Sequence, residues 1–218
     1  MSSHIIKMFI KFGEEKYLKD LYYNGTIYMN SIQYFRNIED EELRGDKYEG
    51  ISRIKNYPQG RFEIPEFNFK GNYLALQIRQ SYETVLGNIY SLYCISSHGW
   101  DDPLKFRIDS GNKRFGSHCI VVKDNKKFLT LIENRLNELK VKFTHNFVEY
   151  YDKDKIDRTI TLFEKPLEFE YQKEFRIYVK RLSEKPFIFN IGNITDIAEI
   201  YNSNEIIDTL KLTKSIYK

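Results

Sequence analysis

The chain has 218 residues, 41% of them hydrophobic, enough for a sizeable core in one compact domain or two small ones; one domain over residues 1–218 is the reading adopted. A net charge of +3 permits contact with nucleic acid but does not argue for it. The apolar run after Met1-Ser2-Ser3-His4 is interrupted at Lys7, too short for a signal peptide's core or a membrane span, so the expectation is a cytoplasmic protein with no membrane partner.

Ile5 to Phe12 reads as a strand ended by Gly13, and Glu14 to Tyr23 as a helix with Tyr17, Leu18, Leu21 and Tyr22 on its apolar stripe. Asn24-Gly25 stops it, Thr26 to Asn30 is a second strand, and Ser31 is placed to cap a short helix. The polar stretch from Glu39 to Gly50 has no period and reads as an exposed loop, solvated or poised over a site. Ile51–Ile54, Arg61–Ile64, Phe67–Tyr73 and Ser81–Val85 read as short antiparallel strands with Pro and Gly breaks. Ile89 to Ser97 is a strong strand that ends in two hydroxyls. Phe115 to Val122 is another, and Asp124 or Asn125 caps an amphipathic helix carrying Phe128, Leu131, Ile132, Leu136 and Leu139. Lys142 to Tyr151, Phe169 to Val179 and Phe187 to Ile191 follow as strands, and Asn204 to Tyr217 as a last helix. This is an α+β pattern without regular βαβ alternation. It contains no glycine-rich dinucleotide fingerprint, P-loop, nucleophile elbow or zincin helix.

Cys94 and Cys119 sit in apolar strand-like runs and read as buried thiols rather than as a disulfide. The four histidines have no zinc spacing, so no metal site is expected; His98, just past a strand end beside Ser96 and Ser97, is the one to watch. The richest stretch is Phe169 to Val179. Phe169, Tyr171, Phe175, Ile177 and Val179 share one parity, while Glu170, Gln172, Glu174, Arg176 and Tyr178 share the other. The polar row is either a solvated face with cross-strand charge pairs or the wall of a cleft in which Glu174 works.

Lys11 on the first strand, Ser96 and Ser97 at the end of a middle strand and Glu174 on a late strand follow the order found in ADP-ribosyltransferases, which the chain resembles. Gln172-Lys173-Glu174 looks like their E/Q-x-E ending, and Cys94-Ile95-Ser96-Ser97 is a loose echo of their Ser-Thr-Ser strand. Lys11-Phe12, the loop from Phe35 to Glu49, Cys94-Ile95-Ser96 and Glu174-Phe175-Arg176 also resemble the motifs of an uncharacterised bacterial family often encoded beside phage-defence genes, though here the loop is longer. The resemblance implies a split, twisted, mainly antiparallel sheet with flanking helices. It also implies NAD as the substrate-cofactor and a toxin or anti-phage role, with RNA, DNA or protein as acceptor and an antitoxin or defence protein as partner. Glu174, Ser96 and Lys11 would then be catalytic. Lys11 and Arg176 would hold the pyrophosphate, Tyr28 or Tyr34 would stack on nicotinamide, and Ser97 and Gln172 would complete the cofactor site. Two other classes stay open: a non-catalytic nucleotide- or protein-binding module on the same fold, and an RNA-processing enzyme.

Overall fold

The computed structural model describes residues 4–37, 49–81, 87–97 and 105–212. Strand β1 (Ile6–Gly13) leads into helix α1 (Glu15–Asn24), which buries Leu18 and Leu21 but leaves Tyr17 exposed. Gly25 ends the helix at φ 67°, donating to the Asp20 and Leu21 carbonyls. A side chain there would meet the Gly192 carbonyl oxygen at 1.9 Å, so glycine is required twice over. In β2 (Thr26–Ser31), Ser31 caps α2 (Ile32–Asn37) as expected, accepting from the Tyr34 N–H at 3.1 Å.

Strands β3 (Ile51–Tyr57), β4 (Gly60–Ile64), β5 (Phe69–Tyr73) and β6 (Leu76–Ser81) form one long antiparallel arm: β4 pairs with β5 at its tip and β3 with β6 at its root. Then come β7 (Asn88–Ser96), β8 (His118–Val122) and α3 (Asn125–Glu138). Asp124 caps α3 by accepting from the Lys127 N–H at 2.9 Å. Asn125 works elsewhere. Its side chain accepts from the Phe9 N–H and donates to the Lys7 carbonyl where the β1–β7 register shifts. The remaining elements are β9 (Lys142–Phe147), β10 (Glu149–Tyr151), β11 (Arg158–Thr159), β12 (Glu164–Pro166), β13 (Glu174–Lys180), β14 (Phe187–Asn190), β15 (Ala198–Asn202) and α4 (Ser203–Thr209).

Strand β7 organises the eight-stranded main sheet. One of its edges pairs with β13 from Asn88 to Tyr93, and β13 pairs in turn with β9. The other edge is divided. Asn88 and Ile89 pair with β2, which pairs with β14, whereas Tyr93 to Ser96 pair with β1, followed by β8 and β15. The sheet thus forks at residues 90–92, and every pairing in it is antiparallel, in keeping with the expected α+β class. One face packs Phe9, Leu92, Ile120 and Phe175 against α1 and α3; the other packs Ile10, Tyr93, Ile95 and Phe106 near α4.

Three expectations are corrected. Residues Leu167–Gln172 form a 3-10 turn rather than a strand, and Lys173 reverses the chain at φ 38°, so the strand begins only at Glu174. The polar parity of β13 is also not a solvated face: Glu174 is 4% exposed and Arg176 1%. Similarly, Glu49 at the end of the expected exposed loop is buried. The acidic run Glu39–Glu42, Asp46-Lys47-Tyr48, Tyr82–Val85, His98 and the final Thr213–Tyr217 lie outside the described residues.

Candidate active site

Glu174 opens β13 directly opposite Tyr93, and Arg176 lies opposite Ser91. Alternation puts Glu174, Arg176 and the Ser91 side chain on one face, where they meet. Glu174 Oε1 accepts from Ser91 Oγ at 2.5 Å and from Arg176 Nε at 2.8 Å. Oε2 accepts from Lys165 Nζ at 2.8 Å and, less closely, from Arg176 Nη2 at 3.4 Å. Arg176 reaches Glu49 with two bonds, 2.7 and 3.0 Å, and also donates to the Leu162 carbonyl. Lys165 Nζ additionally donates to Gln172 Oε1 at 2.9 Å, and the Glu174 N–H donates to the Tyr150 hydroxyl at 2.9 Å. Two carboxylates and two cations therefore form a buried, formally neutral network with fork-like Arg geometry.

Burial alone would raise the Glu174 carboxyl, but Arg176 and Lys165 beside it outweigh burial and hold it well below the usual carboxylate range. For Arg176, burial opposes the charge while Glu174 and Glu49 restore it, and the guanidinium stays protonated. Burial, with the nearby Glu174 charge, pushes the Tyr150 hydroxyl far up, so it remains a neutral phenol. Glu174 is thus a permanent anion near neutral pH. It can stabilise positive charge but cannot exchange a proton there.

The fork in the sheet determines where Lys11 goes. Cys94 donates its N–H to the Lys173 carbonyl, toward β13, so the backbone groups of Ser91, three residues earlier, point to the opposite edge. Among the described residues, 90–92 have no strand partner on that edge, and Lys11 Nζ fills the gap by donating to the Ser91 carbonyl at 2.8 Å while lying 4.4 Å from the Tyr90 ring centre. Lys11 shares its parity with Phe9, on the helix-packed side of the sheet. Ser91 therefore links the two nominated charges, with its carbonyl serving Lys11 and its hydroxyl serving Glu174.

A cavity of about 180 Å³ lies at the start of β13, lined by Ser96, Tyr150, Leu167, Glu170, Lys173 and Glu174 among others. A second, of about 300 Å³, is lined by Tyr93, Arg107, Asp109, Glu170, Tyr171 and Lys173. The shared Glu170–Lys173 ion pair, 2.7 Å long, stands between them. Of the residues nominated from sequence, Glu174 and Ser96 line the first cavity. Lys11, Tyr28, Tyr34, Ser97, Gln172 and Arg176 line neither. Tyr28 and Tyr34 are exposed on β2 and α2, and Ser97 Oγ accepts from the Ile5 N–H at 2.8 Å, closing the β1–β7 end. Gln172 acts through Lys165, and Arg176 through Glu174.

Sequence reasoning missed Lys165, Ser91 and Tyr150. Ser91 was detectable: it is the lone polar side chain on the Ile89-Ser91-Tyr93-Ile95 parity of an apolar strand. Lys165 and Tyr150 carry no local signal. The chain matches no protein-family model, and neither curated proteins nor solved structures match it. Among the described residues no helix is long and apolar enough to cross a membrane.

Proposed function

We propose that the chain is an NAD-dependent ADP-ribosyltransferase on a sheet of the ADP-ribosyltransferase type, acting as a bacterial toxin or anti-phage effector with nucleic acid as the first acceptor to test. The observation that carries this is an ionised Glu174, buried in the lining of a cavity on the strand across β7 from the fork of the sheet. In the transfer, the bond from ribose to nicotinamide breaks with its electron pair leaving on neutral nicotinamide, and the acceptor's lone pair closes on the ribose carbon as its proton passes to solvent. Positive charge grows on the ribose meanwhile, and Glu174 is the fixed anion facing it. Tyr150 positions Glu174 by accepting from its N–H. The first cavity alone is smaller than the roughly 300–1,000 Å³ usual for ligand sites. A dinucleotide would run into the second, past Lys173, with Arg107 available to its phosphates.

A second reading, a binding module without turnover, is favoured by one observation: both Glu174 oxygens already accept from Ser91, Arg176 and Lys165. Purified protein with adenylate-labelled NAD and mixed RNA, DNA and protein separates the two. Transfer predicts nicotinamide release with label on an acceptor; bound NAD without nicotinamide release assigns the module. Leu167→Trp, which adds bulk to the cavity lining at a half-exposed residue outside the ion network, should cut turnover on the order of 100-fold with unchanged folding.

A further inference from the structure

The chain's whole positive balance lies in the arm of β3 to β6. Residues 51–81 carry Arg53, Lys55, Arg61, Lys70 and Arg79 against Glu63 and Glu66, an excess that equals the net charge of +3 of the entire chain, so the remaining residues balance. The excess sits at the root, because Glu63 and Glu66 match Arg61 and Lys70 at the tip. Positive charge gathered on one element is an electrostatic footprint for a polyanion.

Register assigns the arm's side chains to faces. At the root, Arg53 lies opposite Gln80, Lys55 opposite Ile78 and Tyr57 opposite Leu76, so these share one face of β3 and β6. The other face carries Ile54, packed with Tyr151 and Ile160. The first face stays open: Leu76 and Ile78 are 40% and 44% exposed, and Lys55 Nζ sits 4.9 Å from the Tyr57 ring centre. Neither strand contains an acid. Arg53 meets Asp157 at 3.6 Å, a half-exposed pair that solvent weakens. At the tip, Phe62 lies opposite Gly71, Ile64 opposite Phe69 and Gly60 opposite Tyr73, so the three rings share one face of the ribbon. The glycines let the rings opposite them lie across the neighbouring strand: an added Cβ would come within 2.7 Å of Phe62 and 2.5 Å of Tyr73. The Phe62 and Phe69 ring centres are 5.6 Å apart, and the two side chains are 39% and 53% exposed.

We propose that the arm binds single-stranded nucleic acid, with Arg53 and Lys55 at the root holding phosphates and the Phe62, Phe69 and Tyr73 face at the tip stacking bases. Such a strand offers both chemistries that the arm presents separately, a charged backbone for the cations and π-faces for the rings. An anionic membrane would also meet the cations. However, Glu66 stands in the turn Pro65–Phe67 at the apex of the arm, beside a Phe67 that is 77% exposed, and a carboxylate there opposes entry into an anionic lipid surface. The proposal stands on the arm alone. Strand binding and NAD turnover are measured separately, so either can fail without the other.

The test is fluorescence anisotropy with labelled oligo(U) and oligo(dT) of about 12 nucleotides, and with the oligo(dT) annealed to oligo(dA), on the whole protein and its variants. The two single strands distinguish RNA from DNA as the ligand. Two phosphate contacts predict a dissociation constant that rises about sevenfold between about 50 and 200 mM salt, and the double variant Arg53→Gln, Lys55→Gln should lose most of that dependence. Phe69→Leu keeps apolar bulk but removes a ring, and should weaken binding on the order of 10-fold. These side chains are exposed or half-buried, so the fold is kept, which thermal unfolding verifies. Absence of binding up to about 100 μM protein at low salt overturns the proposal. So does a duplex bound as tightly as the single strands, or binding that neither variant weakens. Binding to phosphatidylserine vesicles alone, unchanged in Phe69→Leu, also overturns it and assigns the arm to a membrane.

Discussion

Glu174 is a residue whose chemistry and structural role are hard to separate, because the contacts that keep it ionised also tie it into the fold. Replacing it with Gln leaves Arg176 and Lys165 buried with one carboxylate fewer, and removing one member of a buried pair costs about 3–5 kcal/mol. Glu174→Gln is therefore expected to lose about that much stability in urea unfolding; a loss below about 1 kcal/mol would show that solvent reaches the network. The pH dependence follows from the same contacts. The unfolded carboxylate takes up its proton near the ordinary value of about 4.3, while the folded one holds out to much lower pH. The unfolded state then binds more protons below that value, so Glu174's contribution is full above it and declines as the pH falls. Unfolding free energy should drop more steeply between about pH 5 and pH 3 in the wild type than in Glu174→Gln; parallel slopes would contradict this. The thiols respond at the other end of the scale. Burial pushes Cys94 and Cys119 up to about 12, with Ser96 offsetting part of the shift at Cys94. Neither should react with a thiol reagent at pH 8 while folded, and both should react in denaturant.

At the scale of elements, the turn before β13 is where local pattern and structure diverge. The alternation of Phe169, Tyr171, Phe175, Ile177 and Val179 is real, but no glycine or proline marks the break at Lys173. Lys173 takes the left-handed conformation without the residue type that would advertise it, and its N–H closes the turn on the Glu170 carbonyl at 3.1 Å. Lys173→Val should cost about 1–2 kcal/mol in chemical denaturation, because a β-branched side chain suffers most there. Lys173→Gly should change stability by less than about 1 kcal/mol, since the gain in conformational ease offsets the loss of its half-exposed ion pair with Glu170. Equal effects from the two would mean that the backbone relaxes out of this conformation. Helices with local caps, α1 through Gly25, α2 through Ser31 and α3 through Asp124, were legible because cap, stripe and stop lie within a few residues of one another. The parity of Glu174 and Arg176 was legible too. Their burial was not, because it comes from Glu49 and Leu162, 127 and 14 residues from Arg176.

Across the whole molecule, the arm and the ion network share a root. Glu49, which clamps Arg176, is joined to β3 by Gly50 alone, at φ 74°. The strand fork, the position of Lys11 within it and the arm's length all depend on pairings between distant segments, which no stretch of sequence encodes by itself. The division of labour they create can be cut apart. Tyr57 pairs with Leu76 at the last position of the root, so replacing Pro58 to Ala75 by Asn-Gly leaves a two-residue hairpin loop in the same register. The root keeps Ile54 packed with Tyr151 and Ile160, and Asn56 still donates to the Lys153 and Ile156 carbonyls. The excised segment includes β4 and β5, neither of which has a buried residue, so the trimmed chain should unfold within about 1 kcal/mol of the full one, too small a change to reflect loss of a core. Any NAD turnover should persist, because no residue of either cavity has been removed. Cooperative loss of the whole fold on trimming would show that the tip is part of the folding unit. Loss of turnover in a well-folded trimmed chain would show instead that the arm, through Glu49, sets the arrangement of Arg176 and Glu174.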